Sequence, residues 1–389
     1  MTVKVGLDVF LDDQLDLIRD QRVGIIVHPA SINSRLESTR DLLFKHPDIH
    51  LTTILGPQHG IQGETQDNMI EWEDFHDPVT DLPVYSLYGK TRSPTEEMFQ
   101  DVDVVVFDLQ DVGARYYTYV HTLALVMEAC REQEKSLVVL DRPNPINGVA
   151  TEGTVLEPEF SSFVGLYPLA MRHGMTTGEL ARYLNHEFQI DCQLEVVKMQ
   201  GWRRDMFFSD TQLPWVLPSP NMPTLETAIV YPGMCLLEGT NISEGRGTTR
   251  PFELSGAPWI NPTQLVRDLN RMELPGLVFR PVHFTPTFHK WAEERIGGVQ
   301  IHVANRGEFR PVLTGLALLT LYRKMGEGRF AWKRPPYEYE TEKLPIDILC
   351  GTDRIRKLIE AEAGLDELQE SWKTRLQEFR EIRQKYLLY

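Results

Sequence analysis

A series of short apolar runs, each breaking off into polar residues, constrains this chain more than any other feature. Residues 23–27 end in His28-Pro29, and 51–55 end in the loop Gly56-Pro57-Gln58-His59-Gly60-Ile61-Gln62-Gly63-Glu64. Residues 102–107 end in Asp108-Leu109-Gln110-Asp111, and 137–140 end in Asp141-Arg142-Pro143-Asn144. A further run lies at 82–87, and helical patterns at 38–45 and 119–131 fall between the strands. Apolar strands alternating with amphipathic helices mark βαβ units, so this part of the chain predicts an α/β fold with a Rossmann-like, largely parallel sheet. In such a sheet the strand ends share one edge, where ligands bind. Four polar clusters in register predict a cleft along that edge.

Beyond about residue 260 the pattern changes to helices at 262–271 and 312–324 with strands at 277–284 and 298–304. The expected division is therefore a Rossmann-like domain over 1–260 and a smaller α+β domain over 261–389. Ser93-Pro94-Thr95-Glu96 predicts a helix start, with a serine cap and proline at the first helical position. The proline-dense stretch 214–223 predicts a rigid extended connector. The polar loop 238–253 is long enough to be read as functional. Leu368, Trp372, Leu376, Phe379 and Ile382 recur at helical spacing in the tail and predict a helix packed on the body of the protein.

A formal net charge of −16 argues against general nucleic-acid binding and leaves no polybasic membrane patch. The N-terminal residues carry no signal-peptide pattern, no stretch is apolar enough to span a bilayer, and the four cysteines lack metal-like spacing. The expectation is a cytoplasmic protein with reduced cysteines. Its oligomeric state is not readable from these features.

Several chemistries drop out on motif grounds. The first strand runs into His28-Pro29-Ala30-Ser31-Ile32-Asn33 without a glycine, so the dinucleotide fingerprint is missing. No phosphate-cradling loop, nucleophile elbow or metal-ligand spacing occurs, which predicts neither cofactor nor metal. Carboxylate chemistry survives: Glu64, Asp108, Asp111, Glu238 and Glu244 all fall in glycine- or aromatic-rich loops. Glycoside cleavage uses such groups, one held neutral as a general acid. Gln58, Gln110, Asn144 and Asn221 are side chains suited to sugar hydroxyls, with His59 in the same loop as Gln58. Tyr116, Tyr117 and Tyr119 offer stacking faces, or else pack into the core where a helix begins.

The motifs at 56–64, at 107–119 (FDLQDVGARYYTY) and at 141–145 (DRPNP) resemble the exo-β-N-acetylmuramidase family, long catalogued as a domain of unknown function. Glu152-Gly153, the segment 218–224 (PSPNMPT) and the loop 238–253 fit it as well, so the likeness runs in order over nearly the whole chain. The resemblance implies a Rossmann-like catalytic domain, a smaller auxiliary domain and an active-site cleft between them. The implied reaction removes terminal β-1,4-linked N-acetylmuramic acid from the non-reducing ends of peptidoglycan fragments. The family's catalytic glutamate falls on Glu64, with Asp111 or Glu244 open as the second carboxylate. Because the sugar carries a lactyl carboxylate, an arginine is expected to read it: Arg246 and Arg250 first, then Arg115, for which internal pairing with Asp108 or Asp111 is the competing role. The family has secreted members, and the rival readings are a cell-wall sugar-binding module without turnover and a nicotinamide-dependent enzyme.

Overall fold

The computed structural model describes residues 2–67 and 69–389. In chain order the first strands are β1 (Arg22–Val27), β2 (His50–Gly56), β3 (Phe75–His76), β4 (Pro83–Ser86), β5 (Val104–Asp108) and β6 (Ser136–Leu140). A short antiparallel pair follows, β7 (Glu152–Val155) and β8 (Ala170–Arg172), and then β9 (Gln193–Val197). Among the described residues, seven strands form one sheet in the order β3-β4-β2-β1-β5-β6-β9, parallel except for the β3–β4 pair. The chain builds outward from β1 to β2 and β4, then returns to the other side of β1 for β5, β6 and β9. The sheet's topological switch point therefore lies between β1 and β5.

Local sequence accounts for these elements. Every residue of β5 is buried, as a strand covered on both faces requires. The helix Thr39–Lys45 begins where the Ser38 hydroxyl accepts the Asp41 amide. Thr176 and Glu179 form a reciprocal capping box at the start of Thr177–Glu187. The helix expected from Ser93-Pro94 does not form. The chain makes only successive turns there, with the Phe99 amide donating to Thr95 and Val102 to Phe99. Asp103 then pairs with Arg22 at the edge of β1.

A second lobe contains the antiparallel sheet β10 (Leu254–Ala257), β11 (Leu277–Phe284) and β12 (Ile296–Val303), in the order β10-β12-β11. Its sheet thus begins ahead of the division expected at 260/261, because β10 pairs with β12. The helix Leu225–Met234 also packs in this lobe, crossing Pro311–Gly326 at Gly233 and Gly315. A Cβ on Gly233 would lie 1.7 Å from the Pro311 carbonyl oxygen, and one on Gly315 would lie 2.2 Å from that of Gly233. Only glycine permits this approach.

The C-terminal helix Leu365–Arg383 buries Leu368, Trp372, Leu376 and Phe379, the expected stripe, and packs against β7. Beyond it the Tyr389 hydroxyl donates to Asp141 at the end of β6. One continuous hydrophobic core runs from Phe107 and Val120 in the first lobe to Leu316 and Trp372 in the second. Among the described residues, no helix is long and apolar enough to cross a membrane.

Candidate active site

Three of the four polar strand ends turn inward as locks. After β1, His28 donates from Nδ1 to the Pro218 carbonyl (3.1 Å) and accepts the Gln110 amide at Nε2 (2.9 Å). Burial pushes its pKa down to about 3, so the ring is neutral. At the end of β5, Asp108 is clamped by Arg142 and by the Thr39 hydroxyl. After β6, Asp141 accepts from the Gly178 amide, Thr176 and Tyr389, and burial raises its pKa to about 7. The proline-rich connector lies over the switch point, held there by His28 and by the Tyr119 hydroxyl, which donates to Pro218 (2.6 Å).

The fourth strand end opens into a cleft at the seam of the two lobes. The first lobe contributes Gln58 and His59 after β2 and the run Tyr116–Tyr119 after β5; the connector contributes Ser219, Asn221 and Met222. From the second lobe come Tyr231, Glu238, Arg246, Phe252, Tyr337 and Glu338. Tyr117 packs edge-on against both Tyr119 and Tyr231, so the tyrosines form a wall that is also core.

The loop of 56–64 is shaped around His59, whose φ of 71° is left-handed. Its Nδ1 lies 2.7 Å from the Thr65 carbonyl oxygen, so Nδ1 carries the proton and Nε2 is left as an acceptor. Burial pushes the His59 pKa down to about 4. Asn221 fastens the same loop by donating to the Gln66 carbonyl (2.6 Å). Glu64 follows in the same loop, exposed and outside the cleft lining.

Arg246 is the cleft's buried cation. It pairs with Glu238 at 2.8 Å and approaches Glu244 at 3.3 Å. Glu244 lies behind it, gripped by Lys290 (2.8 Å) and close to His289 (3.2 Å). Burial alone would raise the Glu244 pKa, but Lys290, His289 and Arg246 overcome it and hold this carboxylate well below its usual range. Glu338 differs: it accepts from the Tyr88 hydroxyl (2.8 Å), and the Gln58 amide lies 3.5 Å away. Burial, with Glu238 nearby, pushes its pKa up to about 7.

The remaining expected residues lie elsewhere. Arg115 is wholly buried and donates to the carbonyls of Thr154, Leu169 and Leu349, so it cannot meet a ligand carboxylate, nor does it take up the internal pairing with Asp108 or Asp111. Asn144 holds a turn between Ile146 and Met175. Asp111 accepts the Gly113 amide (2.6 Å) and lies 3.3 Å from His173, outside the cleft lining. Arg250 points to solvent beside Glu253. Glu338 is the residue that the strand-end pattern missed. The available signal was the cluster Pro335-Pro336-Tyr337-Glu338-Tyr339-Glu340, in a region read only as α+β. Among the described residues, no group of three His, Cys, Asp or Glu side chains is placed to hold a metal ion.

Fold and site together define a two-lobed α/β protein with a carboxyl- and tyrosine-lined small-ligand cleft where the lobes meet. The chain belongs to the NamZ exo-β-N-acetylmuramidase family: residues 23–226 match the N-terminal family model and 229–389 the C-terminal one. It is 47% identical to the peptidoglycan β-N-acetylmuramidase NamZ of Bacillus subtilis, over all of this chain and 91% of that one. Two solved DUF1343 family proteins from Bacteroides fragilis share the fold. One has a TM-score of 0.90 at 35% identity and the other 0.78 at 27%, each covering all of this chain and 99% of its own.

Proposed function

We propose that this protein is an exo-acting glycoside hydrolase that releases terminal β-1,4-linked N-acetylmuramic acid from the non-reducing ends of peptidoglycan fragments. The observation that carries the reading is the 47% identity to a peptidoglycan β-N-acetylmuramidase across both lobes, the two halves that build the cleft. Gln58, Asn221 and His59 Nε2 supply donors and acceptors for sugar hydroxyls.

In this reading Glu64 is the general acid. It sits on the loop that His59 and Asn221 hold in place, and it gives its proton to the glycosidic oxygen as the bond to the leaving sugar breaks. Water completes the hydrolysis at the muramic acid carbon. Glu244 serves in support, fixing Arg246 from behind, and Asp111 fixes the turn ahead of the tyrosine wall.

The test is turnover of a muramic-acid-terminated glycan by the wild type and by Glu64→Gln. Multiple turnovers releasing free N-acetylmuramic acid are expected from the wild type. The variant should lose about 10²–10⁴ in rate while keeping its fold and its affinity for the sugar. Binding without turnover by the wild type would make the cleft a sugar-binding site only. A variant keeping more than about a tenth of the rate would remove Glu64 from the role.

A further inference from the structure

Glu338 sits on a strap that the second lobe sends across the cleft to the first. Tyr337 and Glu340 close a tight turn through reciprocal 2.9 Å backbone hydrogen bonds, and Glu338 and Tyr339 hold left-handed φ values of 45° and 67°. Such conformations in non-glycine residues persist where the surroundings enforce them, often at functional sites. Here the first lobe does the enforcing. The Tyr88 hydroxyl holds Glu338 Oε2, the Glu338 amide points at the Met69 sulfur, and Arg92 stacks 3.1 Å from the centre of the Tyr339 ring. Thr118 donates to Gln58 Oε1 (2.8 Å), which turns the Gln58 amide group toward Glu338 Oε1 at the long distance of 3.5 Å. Oε1 is thus the more weakly held of the two oxygens, on a residue that lines the cleft.

The charges around this carboxyl nearly cancel without it. Arg246 is matched by Glu238, and Glu244 by Lys290. The other polar groups facing Glu338 are Tyr88, Gln58 and Tyr337, with Lys333 beyond the Tyr337 ring at 5.1 Å. With Arg92 beside the Tyr88 and Tyr339 rings as well, ionising Glu338 adds a further negative charge beside carboxylates that are already paired, and a neutral Glu338 does not.

We propose that Glu338 is a proton-gated reader of an anionic ligand group: protonated, it donates from Oε1 to the ligand's carboxylate, and ionised, it repels it. The inference rests on the reading above, in which that carboxylate is the lactyl group of terminal muramic acid. It makes Glu338 a residue that selects the acidic sugar over its neutral counterpart, a task Arg246 cannot perform alone while two carboxylates occupy it. The raised pKa of about 7 puts the switch within the neutral range, so anion affinity falls as pH rises.

The experiment compares KM and kcat for a chromogenic muramic-acid β-glycoside with those for its lactyl carboxamide, between about pH 6 and 9, in wild type and Glu338→Gln. In the wild type, KM for the acid is expected to rise about tenfold for each pH unit above 7, while KM for the amide stays flat. Glutamine keeps a donor but cannot ionise, so in the variant the rise with pH disappears. Calorimetry with free N-acetylmuramic acid in buffers of different ionisation enthalpy gives a second reading at about pH 8: wild type takes up nearly one proton per ligand bound, and the variant none. A rise that survives in Glu338→Gln, or one shared equally by acid and amide, overturns the assignment of Glu338 alone. A wild type that neither binds nor cleaves the muramic compounds overturns the functional reading and this inference with it.

Discussion

Arg115 and Arg246 are both buried guanidinium groups in motifs of the same family, yet their surroundings give them opposite tasks. Arg115 meets only main-chain carbonyls, from Thr154, Leu169 and Leu349, and burial pushes its pKa down to about 10. Arg246 is pushed down by burial as well, but Glu238 and Glu244 more than reverse the effect. The first ties β7, β8 and the second lobe together and has no face left for a ligand. The second keeps part of its surface on the cleft while carboxylates fix its orientation. A buried cation is thus a site residue only where its partners leave one side open. The same contrast separates Arg142, locked on Asp108, from Arg246.

The largest effect is expected where a lock is broken. Arg142→Ala leaves Asp108 charged, buried and half-partnered, and should lower stability by about 3–5 kcal/mol in denaturant unfolding. Arg115→Ala strands three carbonyls and should act in the same direction. A cleft role for Arg115 would instead show as a KM defect in a protein of normal stability.

Arg246→Ala should weaken binding of muramic-acid substrates by about 2–5 kcal/mol, read from kcat/KM on muramic-acid and N-acetylglucosamine β-glycosides. Equal losses on both sugars would place Arg246 with the locks, as a support for its loop.

Next comes a pH effect on stability. Burial raises the folded-state pKa of Glu338 from the ordinary 4.5 to about 7. The folded protein therefore holds the proton more tightly than the unfolded chain does. The stability this contributes is fully present below about pH 4.5 and is lost as pH rises through about 7, with a span of roughly 3 kcal/mol. Chemical denaturation over that window should show the fall in wild type and a shallower one in Glu338→Gln. Identical slopes would mean Glu338 is solvated. Smallest of all, Arg250→Ala removes an exposed partner of Glu253 and should change stability and kcat/KM by less than about 0.5 kcal/mol. A larger substrate effect would bring this loop residue back into the cleft.

Local pattern carried much of this architecture. Alternating apolar runs foretold the parallel sheet because a strand covered on both faces must be apolar throughout, and 104–108 shows that in full. The helix at 38–45, the proline connector and the stripe along 365–383 were legible because each depends on neighbours in sequence. Ser93-Pro94 failed as a helix start: the segment makes only turns before Asp103 pairs with Arg22, a residue far away in sequence. Within the candidate site, Gln58, His59, Asn221 and Arg246 were found because polar residues beside glycine and proline advertise a shaped loop. The chain itself therefore determined which segments are strands, caps and special loops.

Which polar residues face a ligand was decided only in three dimensions. Asp108, Asp111, Asp141, Asn144 and Arg115 have the same local appearance as the cleft residues, and they turned inward because partners distant in sequence were waiting for them. Glu338 shows the reverse. The cluster around it marks only an unusual segment, and it becomes a cleft carboxyl because the strap delivers it to Tyr88 and Gln58, 250 and 280 positions away. The physical reason is common to both cases: secondary structure follows from short-range sterics and hydrogen bonding. Charge state and exposure follow from desolvation and pairing, which exist only once the two lobes have closed on one core.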